Sequence, residues 1–88
     1  MTKTANKNQN EDVRLHIEKA RGIIKEYLPK TYVDKVSEKL AKQEIKITNR
    51  VIMNVRHGFA ERVEVINALV EVALENKKQL EKLKQLTT

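Results

Sequence analysis

The chain has 88 residues, enough for one domain and too few for two. It contains no cysteine, which excludes disulfides and thiolate metal sites as supplements to a small core. Lysine and arginine number 18 against 12 acids, a net charge of +6 and a pI near 9.7, which points to a polyanionic partner, nucleic acid ahead of an acidic membrane surface.

The positive charge is unevenly placed. Residues 1–58 carry 13 basic and 7 acidic side chains, whereas residues 59–88 carry 5 of each. No apolar run approaches the ~20 residues that span a bilayer, and no signal-peptide core follows the start. The expected location is the cytoplasm, without a membrane partner.

Residues Met1 to Asn10 are almost wholly polar and are expected to form a disordered basic arm, because such a segment buries too little to offset its ordering entropy. From Glu11 the pattern is helical. Val13, Ile17, Ala20, Ile24 and Leu28 recur at three- and four-residue spacing, flanked by Ile23 and Tyr27, and Pro29 closes the helix.

A second helix is predicted from Lys30 or Thr31 to Leu40 or beyond, with Val33, Val36 and Leu40 as its stripe. The following AKQEIK has neither glycine nor proline, and extension of the helix and a long turn both fit it. Thr48 then suits the N-cap of a third helix. Ile52 and Val55 point inward, Gly58 ends the helix in a left-handed conformation, and Phe59 is expected to plug the core. A last helix from near Glu61 has Val63, Ile66, Leu69, Val70 and Ala73 on its main face, widened by Val65, Val72 and Leu74. Leu80, Leu83 and Leu86 carry the pattern into a Lys/Glu-rich tail.

The stretch Ile47 to Gly58 resembles the recognition-helix signature of the Cro/lambda-repressor-like family: an apolar residue, the Thr48 cap, the apolar pair Ile52 and Val55, and a closing glycine. ERVEVINALVEVALEN is similar to that family's fourth core helix, and the resemblance covers Lys30 to Glu75. It implies an all-α helix-turn-helix domain of four or five helices with a long C-terminal helix, over residues 11–76. Residues 77–88 form a charged amphipathic extension. One departure stands out: Ala41 to Ile47 separates Leu40 from Thr48 without the family's glycine. Either the second helix is longer, with Ile45 in the usual core leucine position, or the turn carries about four extra residues.

A helix fits the major groove of B-DNA and presents side chains to base edges. Thr48, Asn49, Arg50, Met53 and Asn54 are the candidate base contacts; arginine suits guanine, and asparagine suits adenine. Lys30, Thr31, Lys46, Arg56 and His57 are candidate phosphate contacts, which position without reading sequence. The window Lys46 to His57 contains no acid.

His16 and His57 have no metal-ligand spacing. Two glycines build no phosphate loop, and no nucleophile–base set is present; neither catalysis nor a cofactor is expected. The expectation is therefore a sequence-specific DNA-binding regulator, a repressor or accessory regulator of a phage or mobile-element operon. Its partners would be double-stranded DNA and a second copy joined through the C-terminal helix. The alternative is a helical protein-interaction module, an adaptor with a protein partner. RNA binding fits the charge but lacks stacking aromatics, since Tyr27, Tyr32 and Phe59 all read as structural.

Overall fold

A computed structural model describes the backbone of residues 2–88 and the side chains of residues 13–88. It is all-helical, with α1 (Thr2–Tyr27), α2 (Tyr32–Lys42), α3 (Asn49–Arg56) and α4 (Val63–Thr87) and no strand among the described residues. The backbone of residues 2–10, expected as an arm, is continuous with α1; its side chains lie outside those described. No helix among the described residues is long and apolar enough to cross a membrane.

The core draws on every helix. Ile24 of α1, Val36 and Leu40 of α2, Ile52 and Val55 of α3, and Val65, Ile66, Ala68, Leu69 and Val72 of α4 form one buried cluster. Among the described residues no charged or polar side chain is buried with them, so no desolvation cost of an interior polar group arises there. Ile17 and Ala20 of α1, and Leu28 directly after it, pack against the cluster. Ile66, Leu69 and Ala73 of the predicted main face of α4 are buried together with Val65 and Val72 that widen it, whereas Val63 and Leu74 are exposed.

α1 and α4 run in the same direction. Ile17 and Ala20 lie beside Val63, Ile66 and Asn67, and the Asn76 amide of α4 donates to the carbonyl of Tyr27, the last residue of α1, at 2.7 Å. Lys77 places its ammonium 5.2 Å from the centre of the Tyr27 ring, a cation–π contact. α1 then stops: Leu28 still donates back to Ile24 at 3.1 Å, and Pro29 follows. α4 continues alone. Leu80 and Leu83 repeat the face of Leu69, Val72, Ala73 and Asn76, but with α1 gone they are exposed, as is Leu86.

The undecided segment between Leu40 and Thr48 is a short helix end followed by a turn. α2 ends at Lys42, and Glu44 adopts a left-handed conformation (φ 60°). The Ile45 amide donates to the Leu40 carbonyl at 2.9 Å and the Glu44 amide to Ala41 at 3.0 Å, the two bonds of a Schellman motif. Ile45 packs on the core and meets the apolar-contact requirement of that motif from the turn rather than from a longer helix. A glutamate thus stands where glycine is the usual residue.

α3 ends the same way. Gly58 has φ 87°, its amide donates to Val55 at 3.2 Å, and the Phe59 amide donates to Asn54 at 2.9 Å. Phe59 does not plug the core as expected. It is 81% exposed, because the reversal at Gly58 turns it outward and brings Ala60 onto the cluster instead.

Candidate nucleic-acid interface

α3 is short, eight residues, and its orientation is fixed by its inward pair. Ile52 and Val55 are both at 0% exposure, which leaves the opposite face outward by the 3.6-residue repeat. The Thr48 hydroxyl accepts from the Val51 amide at 3.3 Å, so the expected N-cap is formed. Thr48, Asn49 and Arg50 are exposed, Met53 is 45% exposed, and Asn54 is half-buried. Four of the five candidate base contacts therefore share an open surface. Asn54 sits at its edge, its carbonyl taken by the Phe59 and Ala60 amides.

The five candidate phosphate contacts divide between the two ends of α3. Lys30, Arg56 and His57 line one groove with Leu28, Pro29 and Tyr32, and Thr31 follows Lys30 as the exposed N-cap of α2. Lys46 lies at the other end of α3, in an open groove with Ser37, Ala41, Ile45 and Thr48. Glu44 also lines that second groove, whereas no acid lines the first.

A further cation, Lys25, joins Arg56 and His57 from α1 in an adjoining groove. Sequence reasoning missed it, since nothing local to α1 indicates that its last turns lie against the end of α3. The same holds for Arg21. Its guanidinium donates to the carbonyl of Val55 at 2.8 Å and to that of Ala60 at 3.4 Å. A cation at a helix C-terminus complements the dipole there, so Arg21 acts as a brace for α3 rather than as a free positive charge.

The ion pairs lie elsewhere. Lys39 of α2 pairs with Glu75 at 2.5 Å and Glu71 at 3.9 Å on α4, Lys42 with Glu38, and Arg62 with Glu64. Hydrogen bonding to Glu75 raises the Lys39 pKa above its ordinary value, against the opposing effect of desolvation and with the help of the charges of Glu75, Glu71 and Glu38. Backbone hydrogen bonding and the Arg62 side chain lower that of Glu64. Among the described residues Lys25, Lys30, Lys46, Arg50 and Arg56 join no ion pair. The ion pairs among the described residues thus involve α2 and α4, and the cations around α3 join none of them. Among the described residues no group of His, Cys, Asp or Glu is placed to hold a metal ion.

No protein-family model, curated protein or solved structure matches the chain.

Proposed function

We propose that the chain is a sequence-specific, double-stranded-DNA-binding regulator that reads the major groove with α3. The observation that carries this is the outward face of α3. It is capped and free of acids, it bears Thr48, Asn49, Arg50 and Met53, and Ile52 and Val55 hold it to the core. Unpaired cations stand at both ends of that face. A helix is about 10–12 Å across with its side chains and so fits a major groove about 12 Å wide. Lys46 at one end and Lys30, Arg56 and His57 at the other suit phosphates on either side. The resemblance of Ile47 to Gly58 to the Cro/lambda-repressor-like signature supports the same reading, with the role of a repressor or accessory regulator of a phage or mobile-element operon in the cytoplasm.

The test is retention on sheared genomic DNA of the producing cell, followed by sequencing of the retained fragments. Recovery of one short motif is expected. Uniform, salt-labile recovery of all fragments would leave charge without readout and overturn the assignment of α3.

A second reading, self-association or a protein partner through the C-terminal extension, rests on the exposed Leu80, Leu83 and Leu86. Two-fold pairing suits a DNA reader because operators repeat in half-sites. The stripe is short against the roughly 800 Å² that each partner of a stable complex buries, which favours a weak dimer. Sedimentation of the chain cut after Lys78, which spares the contacts of Asn76 and Lys77 with Tyr27, tests it: the mass of a dimer should fall to that of a monomer. A full-length monomer removes the idea.

A further inference from the structure

Single exposed apolar side chains are ordinary on a protein surface, but Phe59 is not placed as an ordinary one. It follows the left-handed glycine of a Schellman motif, where an apolar residue normally packs back on the helix. The matching residue after α2, Ile45, does so against Leu40 and the core. At α3 the corresponding partner is Asn54, and Phe59 stays 81% exposed. An aromatic ring has one of the largest apolar surfaces available to a side chain, and here it is left in water beside a finished helix end.

Its surroundings say what would cover it. The His57 ring lies 6.4 Å away, centre to centre and tilted by 42°. The two grooves at this end of α3 are lined by Arg21, Lys25, Lys30, Arg56 and His57 and by no acid. Glu61 is the nearest acid in sequence, beyond the residue that turns back to the core. His57 borders both grooves and the ring, and a basic surface next to an exposed ring matches a surface that is anionic outside and apolar beneath, which is the sugar-phosphate edge of a duplex.

We propose that Phe59 packs on the deoxyribose edge of the DNA strand whose phosphates Lys30, Arg56 and His57 hold. This rests on the DNA-binding reading above and adds to it an apolar anchor beside α3. Such a contact touches neither a base edge nor a phosphate, so it has a distinctive signature. It strengthens every duplex alike and leaves the salt dependence unchanged, since no counterion is released by an uncharged ring.

The experiment titrates random-sequence duplex DNA with wild type, Phe59→Ala and Phe59→Trp across a salt series, with thermal melts and sedimentation of each protein. Phe59→Ala should bind about tenfold more weakly with an unchanged salt slope and melting temperature. Phe59→Trp should keep its affinity, and its fluorescence should change when duplex is added. Phe59→Ala equal to wild type on duplex would overturn the contact while leaving DNA binding in place. A loss of self-association in Phe59→Ala without a loss of DNA affinity would assign the ring to a second copy and overturn it too. Wild type with no duplex affinity at low salt would overturn the DNA reading itself, and this contact with it.

Discussion

The Arg21 guanidinium of α1 donates to the Val55 carbonyl in the last turn of α3 at 2.8 Å, and to the Ala60 carbonyl beyond it. The helix that carries the candidate readers is thereby held at its far end by a residue 34 positions earlier in the chain. Val55 also supplies a core side chain. One residue therefore fixes α3 in two directions, inward by burial and lengthwise by its carbonyl. Replacing Arg21 by Met keeps an apolar stem and removes the donor. It should cost about 1–2 kcal/mol in urea denaturation, the range of a charge-assisted bond discounted for partial exposure. A loss within error of zero would show that the brace is dispensable.

Glu44 and Gly58 hold the same place after α2 and α3, and this gives a pair of opposite expectations. Glu44 bears the penalty of a left-handed non-glycine residue, so Glu44→Gly should stabilise the protein by about 1 kcal/mol. A Cβ at Gly58 meets no atom within 4 Å, so Gly58→Ala suffers no clash, only backbone strain, and should destabilise by about 1 kcal/mol. Melting temperatures of the two variants decide this. If they moved in the same direction, the turn conformations would be wrong.

The phase of α3 is tested by Ile52→Asp against Asn49→Ala. Ile52 is fully buried, and an unpaired carboxylate there costs several kcal/mol against a small net stability. Circular dichroism should show Ile52→Asp unfolded and Asn49→Ala folded. A native-like melt for Ile52→Asp would reverse the inside and outside of the helix.

Lys39 links α2 to α4 through Glu75, and its raised pKa sets the direction of the pH effect. A lysine stabilised in its charged form contributes below its ordinary value of 10.5 and loses that contribution as pH rises through the raised one. An exposed pair of this kind contributes about 0.2–1 kcal/mol. Lys39→Met should therefore be less stable than wild type at neutral pH, and the gap should close at strongly alkaline pH. A gap independent of pH would mean that packing of the stem, not the ion pair, makes the difference.

The parts of this fold that were legible in sequence are those with local causes. Thr48, Ile52, Val55 and Gly58 lie within one short window, and cap, periodicity and left-handed glycine each act over a few residues. Pro29 ended α1 for the same reason. What was not legible depends on neighbours distant in sequence: Arg21 at the end of α3, Lys25 beside Arg56, and Asn76 on the carbonyl of Tyr27 all follow from the parallel pairing of α1 with α4. Glu44 was hidden for a different reason, since local preference speaks against a glutamate at positive φ. Phe59 was misplaced because apolarity predicts burial, whereas the direction of the chain leaving Gly58 decides it.

The arrangement of cations around α3 separates readers from anchors. Arg50 lies two residues after the Thr48 cap on the exposed face, where a major-groove helix brings side chains to base edges. Arg50→Ala should cost about 1–3 kcal/mol on the preferred site and much less on random DNA. Arg56 is half-buried and lines the grooves shared with Lys25, Lys30 and His57, where a phosphate rather than a base would sit. Arg56→Ala should weaken specific and random DNA alike and reduce the salt slope by about one ion. Both variants keep Ile52 and Val55, so a difference between them reports position around the helix and not stability. Equal losses on every sequence would leave a basic surface without readout. No loss in either would shift the function to a protein partner, with Leu80, Leu83 and Leu86 as the first surface to examine.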